Sequence, residues 1–243
     1  MQNIWIIARR EIKHYFVSPI AYVGMFIVLL IIGVIFYLDL TIAIDQQYVP
    51  SPQTTIGVLL FILPFLAAAV MMRSISDEQK TGTLELILTA PVRDWEFIVG
   101  KWLGGFLFIM IIVAITWIYP LVLNQFVKPG IDQGLLVSGY LGVTLVCATF
   151  VAIGVAISSL FSNQIPAFLV TFLIFLLFWF ITFPSQLFGP TSGPIINYVV
   201  LRSHFYDSFF QGIIQTGDII YYISVTILAL FLATVSIETR RWR

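Results

Sequence analysis

The sequence predicts an all-α membrane protein with six transmembrane helices, and its composition and its apolar runs both support this class. Hydrophobic residues make up 60% of the 243 residues and charged residues only 10%, whereas soluble domains carry about 25% charged residues because their surfaces face water. Mean hydropathy is +1.01, so lipid must solvate most of the surface. The length suits one transmembrane domain over residues 1–243 and leaves no stretch for a second, soluble domain.

Six apolar runs are each close to the roughly 17–25 residues that a membrane helix requires. None of them contains Asp, Glu, Lys, Arg or His. Pro64 lies inside the second run and is expected to kink or break that helix, because proline lacks an N–H group and its ring clashes with the preceding turn. The runs are 19–38, 56–72, 103–123, 139–160, 167–183 and 219–237.

The positions of the basic residues predict the orientation of the chain. Ten of the twelve Lys and Arg residues fall in the N-terminal segment, the loop 73–101 and the C-terminal tail. An even number of spans places these three regions on one side, and only Lys128 and Arg202 on the other. Since cytoplasmic loops carry the excess of Lys and Arg, both termini are predicted to be cytoplasmic.

Two segments outside the spans are predicted to lie at the membrane surface. Residues 1–18 place apolar side chains at helical spacing opposite Arg9, Arg10 and Lys13, as in an interfacial helix. This helix is either a simple anchor or an elbow that braces the first span. Residues 184–218 are predicted to form an outer, interfacial or re-entrant helical hairpin, because the helical pattern over 195–211 is too polar to span.

Small residues mark a packing face in the fourth span. Ala148, Ala152 and Ala156 recur at intervals of four, which lets another helix approach closely. Such a face serves packing within one chain more often than a seam between two copies, and both interpretations stay open.

The loop 73–101 contains most of what the chain offers to a cytoplasmic partner apart from its tails. Thr83–Leu88 is predicted to form a short amphipathic helix that ends at Pro91, because the residue before a proline avoids helical geometry. Asp94 is predicted to cap the next helix, which continues into the third span. The other cytoplasmic loop, 161–166, is short and uncharged. An exposed helical element beside a span is a surface that a partner can push.

Several kinds of chemistry are not supported by the sequence. It has no phosphate-binding G-x-x-x-x-G-K-[ST] motif, and its predicted spans have no ionisable groups for proton-driven transport. The predicted topology separates His14 from His204, which argues against a metal or Ser–His site. Cys147 is the single cysteine, so no intrachain disulfide or cysteine metal site is expected. The formal net charge of zero gives no indication of nucleic-acid binding.

The loop also resembles a known family. Its residues Glu78, Gly82, Thr83, Glu85, Leu86, Pro91 and Val92 are similar to the loop of type-2 ABC exporter permeases. Both ends of the chain resemble the branch that contains gliding-motility and nitrous-oxide-reductase-maturation permeases, through Arg10, Glu11, Phe16, Ser18, Pro19 and Tyr22 at the start and Glu238, Arg240, Arg241 and Trp242 at the end. The predicted spans, elbow helix and hairpin match a type V ABC exporter, so the resemblance covers essentially the whole chain.

The resemblance implies a permease subunit in the inner membrane of a bacterium, not itself an enzyme and without a cofactor of its own. Two ATPase subunits would bind ATP and magnesium, and a second permease copy or a related permease would complete the pathway within the membrane lipid. An accessory extracytoplasmic subunit is a further partner. The ATPase would dock on one segment of each loop: Glu78, Thr81, Gly82, Thr83, Leu84, Glu85, Leu86 and Pro91, with Ser162, Asn163 and Gln164. The alternatives are a structural or mechanotransmitting subunit that does not transport and, less favoured, an intramembrane enzyme.

Overall fold

The computed structural model describes residues 2–89, 92–128, 130–180 and 198–241, and the regular structure within these ranges is helical. A 3₁₀ turn covers Phe209–Gln211. The helices in chain order are α1 (Gln2–Val17), α2 (Pro19–Gln46), α3 (Pro52–Met71), α4 (Ser76–Lys80), α5 (Thr83–Leu88), α6 (Asp94–Ile115), α7 (Ile118–Phe126), α8 (Gln133–Leu160), α9 (Gln164–Phe180), α10 (Leu201–Tyr206) and α11 (Thr216–Arg241).

The prediction of an all-α membrane protein is confirmed. In the described part of the chain, five helical segments are long and apolar enough to cross a membrane. A further apolar helix, α9, has 17 residues, and the end of the predicted fifth span lies outside the described residues. The five segments are Ala21–Gln46, Pro52–Lys80, Asp94–Phe126, Gln133–Leu160 and Thr216–Thr239.

The centre of the bundle is α8, which packs against α3, α6, α9 and α11. In its most apolar stretch 67% of the residues are buried, against 17% in α2 and in α11. The outer helices therefore leave most of their apolar surface uncovered. Thr149 of α8 joins α11, because its hydroxyl lies 3.1 Å from the hydroxyl of Thr226 and 3.3 Å from the carbonyl of Tyr222.

The three alanines of the predicted packing face lie on α8. Ala152 is fully buried, and Ala148 and Ala156 are half-buried. The carbonyl of Ala148 accepts a hydrogen bond of 2.9 Å from the indole of Trp102 on α6, and Ala156 lines an apolar groove with side chains of α9 and α11. These contacts are with neighbours in the same chain.

Pro64 was expected to kink or break its helix. The expected break is wrong, since α3 continues through Pro64 to Met71. A break occurs instead in the third span, at 116–117 between α6 and α7, and Pro120 explains it. Because Pro120 has no N–H group, it cannot bond the carbonyl of Thr116 as a helix requires. That carbonyl accepts from the N–H of Tyr119 at 3.2 Å instead.

The N-terminal helix braces a different span from the one expected. α1 packs mainly along α6 in the third span rather than along α2. The approach is close because Gly100 and Gly104 face α1: a Cβ atom at these positions would lie 2.7 Å from the Cβ of Ile7 and 2.6 Å from the Cβ of Glu11. Two glycines four residues apart on α6 thus allow α1 to pack closely against it.

The segment 184–218, called the outer segment after its predicted side of the membrane, has shorter helical pieces in its described part than the single helix expected over 195–211. Its described part consists of a helical end at 198–199, then α10 and the 3₁₀ turn, while residues up to 197 lie outside the described ranges. The hydroxyl of Ser203 donates to the carbonyl of Val200 at 2.7 Å, and that of Ser208 to the carbonyl of His204 at 2.5 Å. Such local side-chain bonds compete with backbone helix bonds and favour short turns.

Candidate docking site and its ion-pair network

The docking segment is defined here as residues 76–88, which comprise α4, a two-residue turn and α5. Gly82 lies in the turn with a φ of +71°, a left-handed conformation. No atom lies within 4 Å of the position that a Cβ would take there, so the backbone conformation, rather than space, favours glycine. The hydroxyl of Thr81 donates to the carbonyl of Asp77 at 2.8 Å and thereby closes α4.

Most of the predicted docking residues face outward. Thr81, Gly82, Thr83 and Glu85 are exposed, whereas Leu84 is only 5% exposed and anchors α5 to the bundle. The side chain of Leu86 and the whole of Pro91 lie outside the part of the chain that the structure describes. The exposed residues form a polar surface, and the buried side chain of Leu84 attaches this surface to the bundle.

The end of α8 and the start of α9, on either side of the second predicted cytoplasmic loop, lie against the docking segment. The side-chain amide of Gln79 donates to the carbonyl of Ser159 at 2.8 Å, and the amide of Gln164 donates to the carboxylate of Asp77. The hydroxyl oxygen of Ser158 accepts the backbone N–H groups of residues 75 and 76 at 3.0 and 3.1 Å. Both loops therefore contribute to one surface.

The remaining predicted residues of the second loop lie at the start of α9. Ser162 and Asn163 are exposed. The side-chain oxygen of Asn163 accepts the N–H of Ile165 at 3.1 Å, which satisfies a free donor at the helix N-terminus. Asn163 thus has a local capping role in addition to the docking role expected of it.

Glu78 differs from its exposed neighbours because its side chain faces inward. Its Oε1 atom lies 2.9 Å from Nζ of Lys101, and that Nζ also lies 2.8 Å from Oε1 of Glu11. A third bond of 2.6 Å runs from Nζ to the carbonyl of Ser74. Lys101 is 3% exposed, and all three of its N–H donors have acceptors. These residues, Lys101, Glu11 and Glu78, form the Lys101 network.

The Lys101 network joins three elements at the polar ends of the spans. Glu11 belongs to α1, Glu78 to α4 and Lys101 to α6. Burial raises the pKa of Glu78, which lies beyond the end of α3, and the charge and hydrogen bond of Lys101 oppose this rise. The positive charge of Lys101 therefore favours the ionised form of Glu78 against the effect of burial.

The start of α6 is fixed in a different way from the one expected. The helix begins at Asp94, so Arg93 rather than Asp94 is the cap residue, and the predicted cap is wrong by one position. The carboxylate of Glu96 accepts the backbone N–H of Arg93 at 3.2 Å and the amide of Asn3 at 3.1 Å. The second bond ties the start of α1 to the start of α6.

The Lys101 network connects α4 of the docking segment to two other helices. Within the described ranges no group of three or more His, Cys, Asp or Glu is placed to hold a metal ion, and Cys147 is buried. A load on α4 would reach α1 and α6 through Lys101. From the sequence, Lys101 was treated only as one of the charges predicted to be cytoplasmic. Its position between Gly100 and Gly104 was the one signal that another helix packs closely at this point.

One comparison with known proteins gave a match. The sequence profile of a family described as ABC-2 family transporter protein matches residues 5–235, which include the docking segment and all three members of the Lys101 network. No match was found among curated proteins.

Proposed function

The chain belongs to the ABC-2 family of transporter proteins, and from this premise we propose that it is the membrane permease of an ATP-driven exporter. Permeases of this family normally work with an ATPase subunit. The proposed contact for that ATPase is the docking segment together with residues 162–164 of the second loop. The observation that supports this most is the Lys101 network, because it links the exposed docking segment directly to a membrane-crossing helix.

The proposed mechanism is mechanical. ATP-driven closure of two ATPase subunits would displace α4 and α5, which Leu84 holds to the bundle. Because Glu78 and Glu11 share Lys101, the displacement of α4 would carry α1 and α6 with it. A second permease copy, or a related permease, would move in the same way and open a path between the two.

The finer assignments belong to this proposal as well. α9 would complete a set of six spans with both termini in the cytoplasm, in the inner membrane of a bacterium. The resemblance at the two ends of the chain supports the gliding-motility and nitrous-oxide-reductase-maturation branch. The outer segment 184–218 would act as a gate, with an accessory extracytoplasmic subunit as its partner.

Purification from the native host tests the proposed ATPase partner. We expect the tagged protein, extracted in mild detergent, to copurify with a protein that carries a phosphate-binding loop. The copurifying proteins are identified by mass spectrometry, and an unrelated membrane protein with the same tag is the control. An ATPase-free preparation that still moves substrate would contradict the proposal.

A double substitution tests the docking segment. Gly82→Ala with Glu85→Gln should lower stimulation of the partner ATPase at least about fivefold, since a left-handed alanine costs about 1 kcal/mol and an exposed charge is lost. Insertion should not change, and the melting temperature should fall only slightly, because both positions are exposed and the strain is confined to one turn. The matched control is Gly24→Ala with Asp207→Asn, which makes the same chemical changes away from this surface. Normal stimulation in the Gly82/Glu85 variant would show that the contact lies elsewhere.

A further inference from the structure

Unpaired polar atoms are concentrated in one place in this structure. Within the described ranges, five buried side-chain nitrogen or oxygen atoms have no hydrogen-bond partner. Four of them, on Tyr15, Arg73, Ser74 and Glu78, belong to residues that line one pocket. Buried polar groups without partners are rare, and a cluster of them indicates that something else supplies the missing bonds.

The pocket lies between α1, the docking segment and α6. Its volume is about 340 Å³, within the roughly 300–1,000 Å³ typical of ligand sites. Tyr15 is 8% exposed and Ser74 is 3% exposed, so both hydroxyls are inside the protein. Water alone would satisfy such groups in a smaller cavity, but this one has room for a larger polar molecule.

The four unpaired atoms include donors and an acceptor. Nε of Arg73 can only donate, the unpaired Oε2 of Glu78 accepts when ionised, and the two hydroxyls can do both. Burial raises the pKa of Tyr15 well above its ordinary value, with the charges of Glu11 and Glu78 adding to the effect. The hydroxyl of Tyr15 therefore stays protonated and available to donate.

The charges around the pocket are balanced. Its lining includes three cationic side chains, on Arg10, Arg73 and Lys101, and three carboxylates, on Glu11, Asp77 and Glu78. With His14 neutral, these side chains sum to a formal charge of zero. A balanced lining with unpaired groups of both kinds favours a ligand that carries both charges over a simple anion.

The pocket lies beside the polar ends of two membrane-crossing helices, the region of a span that meets phospholipid headgroups. Ser74 follows the end of α3, and Lys101 lies near the start of α6, so both mark the polar ends of membrane-crossing helices. Beyond Tyr15 the chain continues through the exposed apolar side chains of Val17 and Phe26. A headgroup in the pocket would have lipid-facing surface beside it for its acyl chains.

We propose that this pocket binds the headgroup of a phosphatidylethanolamine lipid from the adjacent leaflet. The phosphate accepts hydrogen bonds from Nε of Arg73 and from the hydroxyls of Ser74 and Tyr15. The ammonium group donates to the free Oε2 of Glu78, whose other oxygen is bound to Lys101. A headgroup held in this way contacts α1 and α4 together, so the lipid becomes part of the connection between the elbow helix and the docking segment. The site does not depend on the identity of the ATPase partner.

Native mass spectrometry of the full chain in detergent tests the site. Phosphatidylethanolamine, phosphatidylglycerol and phosphatidylcholine with identical acyl chains are offered in equal amounts. We expect at least about fivefold greater retention of phosphatidylethanolamine, because phosphatidylglycerol has no ammonium group and phosphatidylcholine has no N–H donor. Equal retention of the three lipids would overturn the proposal and leave ordered water as the occupant.

A conservative variant separates binding from folding. Tyr15→Phe with Ser74→Ala removes two hydroxyls that have no partner in the protein, so the melting temperature of the lipid-free protein should not fall. The preference for phosphatidylethanolamine should fall at least about fivefold, whereas the control Tyr37→Phe with Ser224→Ala should keep it. An unchanged preference in the Tyr15/Ser74 variant would overturn the assignment. Displacement of the lipid by an equal concentration of soluble glycerophosphoethanolamine would indicate a soluble ligand and overturn the lipid source.

Discussion

Replacing Lys101 with methionine should destabilise the protein by about 3–5 kcal/mol, the range found when one partner of a buried ion pair is removed. The substitution leaves the carboxylates of Glu11 and Glu78 buried beside each other without the ammonium that lies 2.8 and 2.9 Å from them. The melting temperature in detergent measures the loss. The same variant should no longer show ATPase stimulation. A melting temperature equal to that of the wild type would mean that Lys101 is hydrated in the membrane-embedded protein.

A compensated variant distinguishes transmission of force from simple stability. Lys101→Met combined with Glu11→Gln and Glu78→Gln removes all three charges, and networks replaced as a unit are often neutral for stability. We therefore expect most of the melting temperature to return while ATPase stimulation stays low, because α4 is no longer bonded to α1 and α6 through one group. Full recovery of stimulation in the triple variant would show that the Lys101 network is only structural.

Replacing Asp218 with alanine should destabilise the outer segment by about 1.5–3 kcal/mol, the range for a hydrogen bond to a charged group. Nδ1 of His204 lies 2.7 Å from the Asp218 carboxylate, and Nε2 lies 2.8 Å from the carbonyl of Tyr198. A carbonyl only accepts, so Nε2 donates to Tyr198, while Nδ1 faces the Asp218 side chain. The alanine variant leaves Nδ1 without a partner in a buried position where the imidazole stacks on Tyr221.

Two further substitutions make the Asp218 prediction specific. Asp218→Asn should keep most of the stability, because an amide N–H can donate to Nδ1 of a neutral imidazole. Asp207→Ala removes an exposed carboxylate from the same outer segment and should have little effect on the melting temperature. If the Asp218→Ala and Asp207→Ala variants have the same melting temperature, the pair of His204 and Asp218 does not hold the outer segment to α11.

Sequence patterns located the five long apolar helices, because burial in lipid acts on every residue of a span. Their ends were harder to place. The apolar run predicted to end at residue 38 continues as α2 to Gln46. Asp39 and Asp45 end the apolar pattern but not the helix, because a helix can continue beyond the hydrocarbon region. The two prolines show the same limit. Pro64 was expected to kink or break its helix, and α3 continues through it without a break. The break near Pro120 could not be predicted, because it depends on the carbonyl of Thr116 accepting from the N–H of Tyr119 instead.

The site shows a different limit of sequence reasoning. The exposed residues of the docking segment could be selected because glycine, proline and charge are local signals. The Lys101 network could not, since Lys101 is separated from Glu11 by 90 positions in the chain. His204, which the predicted topology separated from His14, lies beside Asp218. Such pairs depend on how helices pack, and here the close approach of α1 to Gly100 and Gly104 sets the geometry.

The break at Thr116 determines how far a tilt of α6 can travel. From Lys101 to Ile115 the helix is about 21 Å long at 1.5 Å per residue. At its far end, the hydroxyl of Thr116 donates to the carbonyl of Val113 at 2.7 Å and lies 3.0 Å from the hydroxyl of Tyr140 on α8. The third span is therefore attached to the central helix at its break, and α7 is a separate helical segment beyond it. Torque applied at the docking segment would swing the half of the third span that contains Lys101, while α7 kept its orientation.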